Sequence, residues 1–464
     1  MNLAKNLRKY FRRRFRVLKK GRDSLMKLVR EILVVLLVVL FGTFGWSAPK
    51  TIITMQDYQP FELPGSFETA IKKYESLNPD VEIKHYFVPY GELVKKLITQ
   101  SLTESLPDIL FANNPEVLYL ANAGVFKDIT PLVNEWEGWK DFYPGSKLAV
   151  TFEGKVYAIL KGTNNLALWY NKDYFEKAGI DAPPETWDDI LKASQKLKGI
   201  LEEGVYPIGF CASNIESCTW QFLPFLWSNN GSLLALDSPE AIEALELWTT
   251  LVKEEYAPRD VLNWSQGDIT QYFKDKKLAM MIQGNWELSV ARIEDFKKSG
   301  LVSGTNFDIV PIPVSKKGLK RIVPAGGECF ALSANIDPQK EKIAWDFIKF
   351  YCDSQNMSDF GVESGYVPTR AAATEILIAE RPDLKPFADQ AKNAVTRSAA
   401  GGGEKYVDIS AITRSAIQQA LSGALSPADA FKQAAGKIKA LYKTEEEYER
   451  ALSEAASVLL QAKK

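Results

Sequence analysis

Apolar and polar positions change period several times along this chain. "KTIITM" (50–55) is a short β-branched run that predicts a buried strand. "GSFETAIKKYESLNPD" (65–80) places Phe67, Ile71 and Tyr74 at helical spacing and stops at Asn78-Pro79. "VEIKHYFVPY" (81–90) alternates as a strand does, "GELVKKLITQSLTE" (91–104) returns to the helical period, and "PDILFAN" (107–113) is a short apolar strand. Strand, helix, strand, helix, strand at this spacing predicts an α/β fold with a parallel sheet. Such sheets bind ligands beyond the carboxyl ends of their strands, and here those ends carry Gln56-Asp57 and Asn113-Asn114.

The middle of the chain is helix-rich and Trp-rich. "PPETWDDILKASQKLKG" (183–199) has two prolines, a capping Thr186 and a closing Gly199, and "SPEAIEALELWTTLVKEEY" (238–256) is another helix. "FDIVPIPVS" (307–315) and "ECFALSAN" (328–335) return to strand-like sequence. "PQKEKIAWDFIKFYCDSQNMSDFG" (338–361) reads as one long helical stretch, and the chain beyond Thr374 is helical and Ala-rich. No fixed-period repeat interrupts this order.

The formal net charge of −1 conceals an asymmetry. Twelve of the 57 basic and two of the 58 acidic residues fall in 1–48, which leaves 45 and 56, a net of −11, for the rest. An acidic body argues against nucleic acid as a partner. From Met26 the sequence has a basic start (Lys27, Arg30), an apolar run (Ile32 to Phe41) and small residues near Ala48, the layout of a secretory signal peptide. Cleavage after Ser47 fits the small-residue positions better than cleavage after Ala48. Met26 therefore reads as the true start, with 1–25 the product of an over-long gene assignment; a genuine basic extension is the alternative. An uncleaved N-terminal anchor is the alternative, and no cysteine near the cleavage region suggests a lipid anchor.

The chemistry is mostly defined by what is missing. His85 is the sole histidine, and no GxGxxG, GxxxxGK[ST], GxSxG or HExxH pattern occurs. The cysteines Cys211, Cys218, Cys329 and Cys352 have no CxxC spacing, so neither a zinc site nor a cofactor is expected; Cys211 and Cys218 could close a short disulfide loop or remain buried thiols. Glu135, Glu137 and Asp141 in "NEWEGWKDF" are the one carboxylate cluster that a glycosidase reading could use. What is present is polar and aromatic side chains together, which suits a sugar: hydroxyls pair with Asn, Asp, Gln and Glu, and C–H faces pack on Trp and Tyr rings. "QGNWEL" brings Trp286 to the end of a buried run, and Gly326-Gly327-Glu328 allows close backbone approach.

Three segments in order carry a resemblance. "GKVYAILKGTNNLALWYNKDYFEKAGIDAPPETWDDI", "FKDKKLAMMIQGNWEL" and "PAGGECFALSAN…EKIAWDFIKFYCDSQNMSDFGVESGYVPTRAAA" resemble the signatures of family 1 extracellular solute-binding proteins, which include the maltose-binding protein of bacterial ABC importers. The resemblance implies a two-lobe periplasmic binding protein fold with discontinuous lobes and a central ligand cleft. Lobe one would be 49–162 plus 306–350, and lobe two 163–305 plus 351–464. "LKGTNN" would be the first crossing between them, with Asn164 and Asn165 facing the cleft, and Trp169 would be core. Asp57, Asn113 and Asn114 would line the cleft from lobe one and Trp286 from lobe two, with Trp220, Gly327, Glu328 and Tyr366 as further ligand-binding candidates. These candidates are neutral or acidic, which weighs against a phosphate ligand. The implied function is capture of a sugar or oligosaccharide, as a periplasmic monomer, for the permease of an ABC importer, without catalysis. Alternatives are a non-sugar solute on the same fold and a secreted carbohydrate-active enzyme. One departure stands out: where maltose-binding proteins carry an aromatic after "PDI", this chain has "FANN", which counts against maltose itself and against long glucans.

Overall fold

Two sheets organise the chain in a computed structural model that describes residues 9, 12, 20–27, 29–33, 49–58, 67–391 and 394–463. In chain order the strands are β1 (Thr51–Asp57), β2 (Val81–Phe87), β3 (Ile109–Asn113), β4 (Thr151–Phe152), β5 (Lys155–Val156), β6 (Ile159–Leu160), β7 (Leu166–Asn171), β8 (Tyr206–Gly209), β9 (Leu278–Gly284), β10 (Phe307–Pro311), β11 (Pro324–Ala325), β12 (Glu328–Leu332) and β13 (Val395–Thr396). The first sheet runs β2-β1-β3-β12-β6, with β1 and β3 parallel and β12 antiparallel to both neighbours. The second runs β10-β7-β9-β8, with β7 antiparallel to β10 and β9, and β8 parallel to β9. The expected export signal and both its cleavage positions fall largely in 34–48, outside the described residues. Residues 20–27 and 29–33 are helical and exposed. Among the described residues no helix is long and apolar enough to cross a membrane.

Local sequence explains the elements well. Thr186 caps Trp187–Lys198 by accepting from the Asp189 amide, while the Asp189 carboxylate accepts from the Thr186 amide. The long stretch 338–361 is two helices, Pro338–Tyr351 and Ser354–Ser364, because Asp353 caps a fresh N-terminus by accepting from the Gln355 amide. Each sheet buries its own aromatic core. Phe330 meets Phe111 and Tyr351 in the first. In the second, Phe210, Phe222 and Phe225 surround Trp248. Trp169 is fully buried, stacks on Phe296 and Phe307, and donates its indole N–H to the Gln283 carbonyl at 3.1 Å.

β10 pairs along its length with β7, Phe307 opposite Asn171 through Pro311 opposite Ala167, so the chain remains with the second sheet past residue 306; β11 pairs with β13, and the chain rejoins the first sheet at β12. The helix Ser354–Ser364 touches both sides: Phe360 packs on Tyr351, and Val362 packs against the core of the second sheet. The crossing itself is a three-stranded knot. Thr163 exchanges both backbone hydrogen bonds with Val367, and Asn164 exchanges both with Gly326. Asn285 ties it to β9: its Oδ1 accepts from the Asn165 amide at 2.9 Å and its Nδ2 donates to the Gly365 carbonyl at 2.7 Å.

Candidate functional site

A cavity of about 190 Å³ opens where the crossing segments meet the ends of both sheets. From the first sheet it receives Tyr58 after β1, Asn113 at the end of β3 and Glu328 at the start of β12. From the second side come Trp286, just past β9, and the N-terminal turns of two helices: Glu216, Ser217 and Trp220 from Glu216–Ser228, and Gln266 from Gln266–Lys274. Asn164, Tyr366 and Arg397 complete the lining. Trp286 fits against the strand end because Gly284 has no side chain; a Cβ there would lie 2.0 Å from the indole.

Six of the ten sequence-predicted residues face this cavity: Asn113, Asn164, Trp220, Trp286, Glu328 and Tyr366. The other four lie elsewhere. Asp57 is fully buried and bonds His85 Nε2 at 2.7 Å. Asn114 donates its amide N–H₂ to the Ala325 carbonyl at 2.9 Å, and Asn165 donates to the Phe387 carbonyl at 3.0 Å. Gly327 belongs to the crossing, with φ at +126°. The carboxylate cluster is away from the cavity, with Glu137 on exposed Lys140 and Asp141 on Arg370. Cys211 and Cys218 are separate buried thiols; the Cys211 S–H donates to the Trp264 carbonyl.

Sequence reasoning missed Tyr58, Glu216, Ser217, Gln266 and, above all, Arg397. The expectation of a cleft without basic side chains is corrected by it. Its guanidinium lies over the Trp220 ring at 4.5 Å, donates to Glu216 Oε1 at 2.6 Å and donates to Asn113 Oδ1 at 2.7 Å. Glu216 also accepts from the hydroxyls of Tyr406 and Ser410, so the cation's charge is already balanced. Burial, with Glu216 adding to it, holds the Tyr406 phenol well above its ordinary range, so it stays a donor.

Beneath Asn113 sits Glu116, whose Oε2 accepts from the Asn113 amide at 3.0 Å. Burial pushes its carboxyl up to about 7 from 4.5; the Asn113 amide and Arg397 oppose the rise, and Glu216 adds to it. A raised folded-state value means that the folded protein holds this proton more tightly than the unfolded chain. Stability from it is complete below about pH 4.5 and is lost as pH rises through about 7, on the order of 3 kcal/mol in all. Glu116→Gln is expected to escape that loss. Denaturant titrations of both proteins between about pH 5 and about pH 8 should show the variant gaining steadily on the parent. Identical pH slopes would mean that Glu116 does not hold the proton.

Comparison with known proteins fits this arrangement. The profile of the bacterial extracellular solute-binding protein family matches residues 69–394. The chain belongs to that family. A putative binding protein of Brucella abortus (strain 2308) is 23% identical over 405 residues, covering 86% of this chain and 94% of that protein. Among solved structures, maltose-bound MalE3 of T. maritima aligns with a TM-score of 0.74 at 23% identity, over 84% of this chain and 100% of that one. UgpB of Mycobacterium tuberculosis, in complex with glycerophosphocholine, aligns at 0.72 with 17% identity, over 84% and 98%. At these identities the likeness establishes the fold, two α/β lobes with a cleft between them.

Proposed function

We propose that the protein captures a sugar or short oligosaccharide outside the cytoplasm and delivers it to the permease of an ABC importer. In this reading it acts as a monomer, without catalysing a reaction, after removal of its signal peptide near Ala48. The observation that carries the reading is the cavity lining. Two indoles, Trp220 and Trp286, share it with Asn113, Asn164, Ser217, Gln266 and Glu328, a mixture that serves C–H faces and hydroxyls together. Its volume of about 190 Å³ lies below the roughly 300–1,000 Å³ usual for small-molecule pockets, which favours the smallest saccharides. The maltose bound to MalE3 supports the ligand class. A phosphate ester is the second reading, favoured by Arg397 and by the glycerophosphocholine bound to UgpB.

Calorimetric titration with maltose, mannobiose, tagatose, glycerol 3-phosphate and glycerophosphocholine separates the two, with chromatography of each saccharide afterwards. The proposal expects a saccharide to bind and to be recovered intact. Binding of a phosphate ester alone, or a cleaved saccharide, would refute it. On the saccharide that binds, Trp286→Ala is expected to weaken affinity about tenfold to a hundredfold through lost stacking area. Its stability should fall far less than that of Trp169→Ala, where emptying a core indole site costs about 3–5 kcal/mol. If Trp286→Ala melts as early as Trp169→Ala and binds normally while folded, Trp286 is core and not a ligand platform.

A further inference from the structure

Behind the cavity lies a buried cation that no ligand can reach. Lys161 stands on the first crossing segment, its side chain 0% exposed, with Nζ 3.4 Å from Glu328 Oε2. Four rings enclose the ammonium: Phe360 at 3.9 Å, Phe111 at 5.3 Å, Tyr366 at 5.4 Å and Tyr351 at 5.8 Å from Nζ to centroid. Burial pulls the lysine below its ordinary range, while Glu328 acts in the opposite direction. Rings attract this side chain only as a cation, and the adjacent carboxylate favours the same form. The other oxygen of Glu328 faces outward. Its Oε1 accepts from the Tyr366 hydroxyl at 2.6 Å and from the Tyr58 hydroxyl at 3.1 Å, and all three residues line the cavity.

This arrangement fixes the direction of the hydrogen bonds. An ionised carboxylate only accepts, so both phenolic protons point at Glu328. The phenol oxygens then keep only acceptor capacity, and at Tyr366 part of it is taken by the Asn164 side chain. A wall of acceptors complements hydroxyl groups, which donate, and opposes phosphate or carboxylate oxygens, which cannot. We infer that Lys161 is a positioning residue that keeps Glu328 an acceptor and thereby sets the Tyr58–Tyr366 end of the pocket to take hydroxyl donors and reject anionic groups. For its ligand class this rests on the saccharide reading above.

The test uses Lys161→Met and the double variant Lys161→Met/Glu328→Gln in the full chain. Without ligand, infrared difference spectra at neutral pH should show one carboxylate band of the parent replaced by a carboxylic-acid band in Lys161→Met, because a buried charge stripped of its partner takes up a proton. The double variant should lack both bands. With ligand, maltose, mannobiose and glycerophosphocholine are titrated into parent and variants. The parent should bind a saccharide and not glycerophosphocholine, and Lys161→Met should lose about tenfold to a hundredfold in saccharide affinity. An unchanged infrared band overturns the inference whatever binds. Equal saccharide affinity in parent and Lys161→Met overturns it while leaving the saccharide reading intact. Preference of the parent for glycerophosphocholine overturns both. If Lys161→Met fails to fold, the double variant, which buries no unpaired charge, carries the binding arm: weakened saccharide binding is expected, and parental affinity overturns the inference.

Discussion

Alanine at Gly327 is expected to be among the most destabilising single substitutions in the chain, at about 2–6 kcal/mol. Two independent costs add. At φ +126° a side chain is strained whatever the surrounding space, by roughly 1–3 kcal/mol. The new Cβ would also lie 2.0 Å from the Gly162 carbonyl oxygen, which is backbone and cannot swing aside as a flexible side chain would. Relieving that contact forces apart the first crossing segment and the returning one, at about 1–3 kcal/mol more. The same two segments are joined by the Asn164–Gly326 hydrogen bonds, and the Gly327 carbonyl also accepts from the Asn114 amide, so movement spreads to the end of β3. Gly124→Ala is the control. Its φ is +71°, but nothing lies within 4 Å of the added Cβ, so it should cost about 1 kcal/mol. Denaturant unfolding of the two variants beside the parent measures the gap. Equal losses would mean that the crossing yields freely and that close backbone approach is not what requires glycine at 327.

The neighbouring asparagines show where sequence reading reaches its limit. Asn113 closes β3 while Asn114 opens the tight turn after it, and Asn164-Asn165 lie in the crossing segment ahead of β7, outside any strand. One of each pair faces the cavity. Period alone cannot say which, and the structure selects Asn113 and Asn164 while Asn114 and Asn165 turn to the Ala325 and Phe387 carbonyls. Elements were legible where one local signal set them: a β-branched run marked β1, a short apolar run marked β3, and Thr186 marked its helix. Asp353 was an equally local cap signal within the long 338–361 stretch, and reading it would have divided the two helices. The placement of β10 was not local at all. "FDIVPIPVS" satisfies a strand pattern on either sheet, and only pairing with β7 decides. Arg397 carried no motif. Its partners Glu216 and Asn113 lie 181 and 284 residues away in sequence, and nothing in "VTRSAAGGG" marks the arginine as buried.

Arg397→Ala is expected to reduce stability by about 3–5 kcal/mol, the loss that follows when one member of a buried ion pair is deleted. The residue is only 2% exposed, so solvent does little to screen its bonds. Deletion strands the Glu216 carboxylate with the Tyr406 and Ser410 hydroxyls and with Arg414 at 3.9 Å, which is beyond hydrogen-bond range. It also releases Asn113 Oδ1 and uncovers one face of Trp220. Arg397→Lys distinguishes charge from shape. An ammonium keeps the charge beside Glu216, but it lacks the planar fork that spans Glu216 and Asn113 while lying flat on an indole. The lysine variant should therefore recover part of the stability, at least about 1 kcal/mol over alanine, and little of the ligand affinity. Paired denaturant and calorimetric titrations decide the matter. If lysine restores both quantities to parental values, Arg397 serves only as a counter-ion for Glu216. If alanine itself is neutral in both, the guanidinium bridge from Asn113 to Glu216 does not hold the two sides of the cavity together. The expected result, stability partly recovered and affinity still lost, would make the stacked fork a wall of the pocket that an ammonium cannot replace.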